Sequence, residues 1–430
     1  MPVGRAGLRF WIRRAAVDYE ELPLIDRMGG GIARKGLAGV RRITGRLVRR
    51  RTTRVVRARG AGGLPAHPRN VLVVKLWGLG HMAHAGRALT SLRRGHPNAR
   101  IALLSTPECL GVYGANDLYD EAIPFDPVDA RGVSAAVAAL RPRLRERPVD
   151  LAVNLDGLSE LAALLAAESQ PQAAVGFVSR ERSRGAYTRA IRWRREAHVA
   201  DLLYEAARAA GGARVEPGPV RPVVRGQERA WAAQVLRDAQ VDPHTYLVGL
   251  HVGAGAFYLG RAWPPEKFAL LAQWIEEQAE YRAAFLGGDE DVRATDRALA
   301  HMSQPALHLT GGVDVRGTLA LLERMHLFVG SDAGPLHLAE VLDVPTVGLY
   351  GPESPARVGR RDNEERHAAV YRICDRSPCV SLLAVERPVC ELGNRCVLDL
   401  SVEAVRAVVS DMLDHLSDPE NPPWLARESG

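Results

Sequence analysis

Apolar residues recur along this chain in short continuous runs separated by stretches of helical period, a pattern that predicts buried strands alternating with helices. Residues 70–76 (NVLVVKL) read as a strand, followed by the turn Trp77-Gly78-Leu79-Gly80 and a helix over 81–94. Strands are expected at 101–104, 121–123 and 150–154, with helices over 133–144, 158–168 and 197–210. The pattern then repeats. A helix over 228–240 precedes a strand at 246–251, a helix over 265–279 precedes a strand at 282–286, and a helix over 315–325 leads into residues 327–351. Alternation of this kind builds parallel sheets with helices on both faces. Pro217, Pro219 and Pro222 mark a passage between two α/β domains, 70–225 and 226–416, with 417–430 as a tail.

Residues 327–351, LFVGSDAGPLHLAEVLDVPTVGLYG, are the most ordered part of the pattern. An apolar strand stops at Gly330-Ser331-Asp332, a helix opens with Gly334-Pro335, and Thr346 to Tyr350 supply the next strand. Pro335 suits a helix start, and Ser331 or Asp332 can cap its free amides. Such an N-terminus at the carboxyl end of a strand favours an anion, most often phosphate. A βα turn that binds nothing has the same pattern. Two further strand-end loops carry chemistry-capable residues, His251 through Pro264 and Gly287 through Asp291, and ligands of open α/β sheets bind beyond those ends.

Charge changes the picture at one end. Residues 1–69 hold 17 Arg or Lys against four acids, a net of +13, which leaves −6 for the rest of a chain whose total is +7. In this arm Val40, Ile43, Leu47 and Val48 recur at helical spacing among Arg41, Arg42, Arg46 and Arg49 to Arg51. A basic amphipathic helix of this kind favours an anionic membrane surface through residues 1–60; an arm packed on the acidic domains is the alternative, and nucleic acid is not the expected partner. No apolar run approaches the roughly 20 residues that span a bilayer, and no signal-peptide core is visible, so the expected location is cytoplasmic, peripheral on the inner membrane's cytoplasmic face. The stretch Ser179 to Arg195 is dense in Arg, with Tyr187 and Trp193 interleaved. It reads either as a site for an acidic acceptor or as a solvated face.

In their order, VLVVKLWGLGHM (71–82), VGLHVGAGAFYLGRAWPPEKF (248–268), FLGGDED (285–291), LTGG (309–312) and VGSDAGPLHLAEVLDVPTVGLYGPESPARVG (329–359) resemble the heptosyltransferases of glycosyltransferase family 9 over about residues 70–415. The resemblance implies a GT-B fold, two Rossmann-like doubly wound domains facing an interdomain cleft, here with a basic N-terminal arm. The first domain is expected to bind the acceptor and the second the nucleotide sugar. It also implies inverting transfer of a sugar, typically heptose from ADP-heptose, to a hydroxyl of a glycolipid, surface glycan or natural product, with no cofactor and no catalytic metal. On that basis Arg261 and the amides around Ala333 and Gly334 meet the diphosphate, His337 faces the same anion, and Asp332 matches the acid near sugar and pyrophosphate. Ala333 stands where a hydroxyl residue is usual, so that one phosphate or sugar contact is either missing or supplied by Ser331. Glu290 or Asp291 would accept from ribose hydroxyls, while Gly253, Ala254 and Gly255 bring the backbone close to the nucleotide. Where the family commonly reads Ser-Leu-Gly-Asp, with the Asp as candidate base, this chain reads Gly78-Leu79-Gly80-His81. Imidazole accepts a proton in the neutral range, and a helix N-terminus favours its neutral form, so His81 is the expected base beside Gly80. His84 and Asp156 are the substitutes on the acceptor side. A sugar-nucleotide-binding protein without transfer activity, or one with epimerase-like chemistry, is the alternative.

Four of five cysteines, Cys374, Cys379, Cys390 and Cys396, lie within a 23-residue loop, 374–396. Their spacing is looser than a zinc ribbon's, which leaves a structural zinc or iron–sulfur site, free thiols and disulfides as readings.

Overall fold

Val71 to Val74 are buried on both faces of their strand, as expected where crossover helices cover both sides of a parallel sheet. The computed structural model describes residues 63–126, 133–178, 187–254, 259–380, 390 and 392–416, and these fall into two units that divide between Val223 and Val224. The first runs β1 (Asn70–Val74), α1 (Leu79–Gly95), β2 (Arg100–Ser105), α2 (Pro107–Val112), β3 (Glu121–Pro124), α3 (Val133–Arg145), β4 (Leu151–Asn154), α4 (Glu160–Glu168), β5 (Ala173–Val178), β6 (Arg189–Arg192) and α5 (Val199–Ala209). Its strands are parallel in the order β3-β2-β1-β4-β5-β6.

The second unit runs α6 (Gly226–Asp238), β7 (Tyr246–His251), α7 (Pro265–Glu276), β8 (Tyr281–Gly287), α8 (Val292–Leu299), β9 (Leu307–Thr310), α9 (Val315–Leu322), β10 (Leu327–Ser331), α10 (Gly334–Val341), β11 (Thr346–Tyr350), α11 (Pro355–Val358), β12 (His367–Tyr371), α12 (Arg395–Leu398) and α13 (Val402–Leu416). Its parallel order is β12-β11-β10-β7-β8-β9. Counted from β7, this is the arrangement of the first sheet. Each sheet therefore reverses its winding between two strands, β1 and β4 in one and β7 and β10 in the other, where doubly wound folds place ligands. The registers also agree: Val74 pairs with Asn154, His251 pairs with Gly330, and an aspartate follows two residues later in each case, Asp156 and Asp332.

The strands β5, β6, β9 and β12 and the helices α2 and α8 extend the pattern read from the sequence. The proline-bearing passage is fastened to the first unit: Arg87 Nη2 donates to the Val215 carbonyl (3.3 Å), Tyr113 Oη to that of Val220 (3.1 Å) and Asn116 Nδ2 to that of Arg221 (2.8 Å). In the Arg-dense stretch the two aromatics are core residues. Tyr187 accepts from Asn154 Nδ2 (2.8 Å), Trp193 meets Phe177 edge-on, and Arg194 pairs with Glu205. Its residues 179–186, the basic arm over 1–62 and the tail over 417–430 lie outside the described residues. Among the described residues no helix is long and apolar enough to cross a membrane.

Candidate functional site

At the β7/β10 reversal the turn after β10 delivers Asp332 and then α10, whose N-cap is Ala333 with no side-chain cap. The cap expected from Ser331 or Asp332 is absent because both side chains are engaged elsewhere. Ser331 Oγ accepts from the Trp263 amide (3.1 Å), which fastens the 259–264 segment to the strand end. Trp263 itself is fully buried, donates from Nε1 to the Leu400 carbonyl (2.9 Å) and stacks edge-on against Phe268. That anchor sets Arg261 two residues earlier. Arg261 Nη1 donates to Asp332 Oδ2 (3.0 Å) and Nη2 to the Ala254 carbonyl (2.8 Å), while Nε is buried with no partner among the described residues.

His337 does not present a free ring nitrogen to an anion, as the sequence reading expected. Nε2 lies 3.0 Å from Asp332 Oδ1 and Nδ1 2.8 Å from Glu340 Oε2, so both nitrogens face carboxylates and the ring donates twice, as imidazolium. Burial favours a neutral ring, yet Glu340 and Asp332 push His337 up to about 9. Burial likewise opposes ionisation of Asp332, but Arg261 and His337 outweigh it and hold the carboxyl well below the usual range. Glu340 is buried, its Oε1 near Tyr350 Oη (3.5 Å) and the Arg360 amide (3.4 Å). Beyond β11, Glu353 takes Arg357 Nη1 (2.8 Å) and the Ser354 amide (3.0 Å). Burial pushes Glu353 up to about 7 against the pull of Arg357, and the charge of Asp332 adds to the rise. Glu340 and Glu353 were not singled out in the sequence; the i,i+3 spacing of Glu340 from His337 was the available signal for the first.

The 287–291 loop sends its two candidate acids in different directions. Asp291 turns inward, where Oδ2 meets His251 Nε2 (3.1 Å) and the Gly288 amide (3.2 Å). Burial resists its charge, but those two partners keep the carboxyl below its ordinary value. Glu290, the other acid expected on the nucleotide side, is exposed. At Gly253 a Cβ would stand 1.9 Å from Asp291 Oδ1, so the missing side chain admits that carboxylate. Ala254 contributes its carbonyl to Arg261, and Gly255 lies outside the described residues.

At the β1/β4 reversal a buried pair holds the first turn. Lys75 Nζ donates to Asp156 Oδ1 (2.7 Å) and to the Trp77 carbonyl (2.5 Å), and the Trp77 amide donates to the same carboxylate oxygen (3.1 Å). Asp156 thus fixes the approach to α1, with Oδ2 buried and unpartnered among the described residues. Gly78 is the N-cap of α1 at φ 77, and no side chain caps the helix. Gly80 and His81 lie buried in its first turn, and a Cβ on Gly78 would be 3.4 Å from His81 Nδ1, so the ring folds back over the turn. His84 packs edge-on against His198, the N-cap of α5, with centroids 5.5 Å apart. Lys75 was read from sequence only as a strand residue.

The four clustered cysteines are free thiols, so no disulfide forms. Burial first, and then Cys374, Cys379 and Cys390, push Cys396 up to about 12. Among the described residues no three His, Cys, Asp or Glu side chains are grouped to hold a metal ion.

Two doubly wound sheets with a charged strand-end site are the architecture of nucleotide-sugar transferases of the GT-B kind. The model of glycosyltransferase family 9 (heptosyltransferase) matches residues 137–388, more than half of the chain, and the chain belongs to that family. It is 30% identical over 113 residues to lipopolysaccharide heptosyltransferase 2 of Salmonella typhimurium, an alignment covering 25% of this chain and 32% of that protein. The chain thus spans about a third of that relative's length. Among solved structures, family 9 glycosyl transferase from Veillonella parvula superposes with a TM-score of 0.69 at 21% identity, covering 82% of this chain and 100% of that one. ADP-heptose lps heptosyltransferase II of E. coli does so with a TM-score of 0.63 at 19% identity, covering 80% and 99%.

Proposed function

We propose that this protein is an inverting glycosyltransferase that moves a heptose from ADP-heptose onto a hydroxyl of a glycolipid, surface glycan or natural-product acceptor. Family membership and the heptosyltransferase names of its relatives support the reaction class. The observation that carries the site is Arg261, a guanidinium 5% exposed whose Nε has no partner among the described residues, in the segment fastened to the β10 strand end that opens into the uncapped α10. A departing diphosphate gains charge at the bridging oxygen, and a fixed guanidinium with helix amides stabilises that charge. Asp332 aligns the guanidinium, and the amides of Ala333 and Gly334 face the phosphates. Protein cations supply the neutralisation, so the proposed reaction is metal-independent.

Inversion requires an acceptor hydroxyl to lose its proton as it attacks the anomeric carbon. His81 is the proposed base, because Asp156 already serves Lys75 and Trp77, and His84 is packed against His198. The basic arm is proposed to hold the protein at an anionic membrane surface in the cytoplasm. For the cysteine loop, a zinc or iron–sulfur centre would require Cys396 to ionise and the four thiols to converge; native mass spectrometry of the purified protein reads the metal content directly.

The test is ADP release from ADP-heptose with a lipid A-core or soluble glycan acceptor, run beside calorimetric ADP binding. His81→Ala is expected to lose turnover by roughly 100-fold while ADP affinity stays within twofold. ADP binding without turnover by wild-type protein would point instead to the sugar-nucleotide-binding reading, and near-normal turnover in the variant would move the base elsewhere.

A further inference from the structure

Glu340 lies one turn along α10 from His337, and the pair shares one buried helix face. Its carboxylate is held at both oxygens: Oε2 meets His337 Nδ1 at 2.8 Å, and Oε1 lies near Tyr350 Oη and the Arg360 amide. The Arg360 guanidinium also grips the Glu340 carbonyl and pairs with Asp343 and Asp362. From Glu340 an unbroken series runs through His337 and Asp332 to Arg261 and ends on the Ala254 carbonyl. Every link is ionic or charge-assisted, the last one ending on a neutral carbonyl, and the side chains of Glu340, His337, Asp332 and Arg261 are each 5% exposed.

We propose that Glu340 is a positioning residue: through His337 it fixes Asp332, and through Asp332 the guanidinium of Arg261, so that the site offers a nucleotide diphosphate one geometry and one charge throughout the neutral pH range. The proposal rests on reading the site as a nucleotide-sugar site. Charge explains why Glu340 is needed. With Asp332 alone as neighbour, one ring nitrogen would lack an acceptor and the imidazole could shed its proton or turn over, which would change the site's net charge by one within the working range. Two carboxylates remove that freedom. The groups on and behind the ring set the balance: Asp332 from the end of β10 and Glu340 from α10 meet it, Arg261 from the 259–264 segment holds Asp332, Tyr350 from β11 and Arg360 lie against Glu340, and Glu353, paired with Arg357 beyond β11, is coupled to Asp332.

The experiment follows the ring of His337 by 15N–1H correlation in the ligand-free, full-length protein, and the dissociation constant of ADP at pH 6.0 and 8.5. The wild-type ring is expected to stay doubly protonated at pH 8. Glu340→Gln is expected to lower its titration midpoint by at least one pH unit and to make ADP binding weaken at least fivefold more between the two pH values than in wild type; the ionisation of ADP enters both proteins equally. A singly protonated wild-type ring at pH 7.5, or an unchanged midpoint in the variant, overturns the role of Glu340, and the wild-type titration decides even where the variant fails to fold. Wild-type protein with the expected ring titration but no ADP binding overturns the nucleotide reading instead.

Discussion

Arg261 Nη1 lies 3.0 Å from Asp332 Oδ2, across 71 residues of sequence, with both side chains 5% exposed. The bond makes Arg261 part of the folded core as well as of the site. Arg261→Ala leaves Asp332 buried with His337 as its remaining counter-ion, and loss of one partner of such a pair costs about 3 kcal/mol. The variant is expected to lose that much unfolding free energy in urea titrations and, where still folded, to bind ADP at least tenfold more weakly. Wild-type ADP affinity in the folded variant would remove Arg261 from the site.

Lys75 and Asp156 form the counterpart in the first sheet, 0% and 1% exposed. Lys75→Met is expected to lower unfolding free energy by about 3 kcal/mol, since it leaves a buried carboxylate unpaired, and Asp156→Asn added to it should restore part of the loss. Denaturant unfolding of the wild type, both single variants and the double variant measures the coupling. Strict additivity would show that the pair contributes nothing through its mutual contact.

Glu353 gives a pH dependence of definite sign. Its carboxyl is raised by burial to about 7, above the ordinary value of 4.5, so the folded state binds more protons than the unfolded state between those values. Stability from this group is therefore fully present below about pH 4.5 and falls as pH rises to about 7. Glu353→Gln, which keeps an acceptor for Arg357, is expected to remove that slope and to stabilise the protein at pH 8 by up to about 3 kcal/mol. Parallel stability profiles for both proteins over pH 5–8 would contradict the assignment. His337 acts on the basic side: raised to about 9, it contributes fully below about pH 6.5 and loses its contribution as pH climbs through 9.

Strands with branched apolar runs were legible because their composition and length leave little choice: β1, β7, β10 and β11 lie where the sequence pattern sets them. The missed strands carry weaker signals. β5 reads AAVGFV, rich in Ala and Gly, β6 reads RAIR on an edge of the first sheet, and β12 reads HAAVY on an edge of the second. The family resemblance singled out Arg261, Asp332 and His337, which the structure brings together, but not their partners, because a side chain's direction inside a loop depends on contacts distant in sequence. Lys75 and Asp156 are 81 residues apart, and Asp291, one of the two acids read for a ribose, meets His251, 40 residues earlier.

The agreement of the two sheets in strand order and register means that one floor plan serves twice, with an aspartate at the same place in each. The fittings differ. In the first sheet the counter-ion comes from the neighbouring strand's own continuation, Lys75, and is as immobile as the sheet. In the second it comes from a loop arginine and a helix histidine. A buried aspartate at the same place is thus neutralised by a strand-end residue in one half and by a loop and a helix residue in the other, two solutions to one charge problem on the same scaffold.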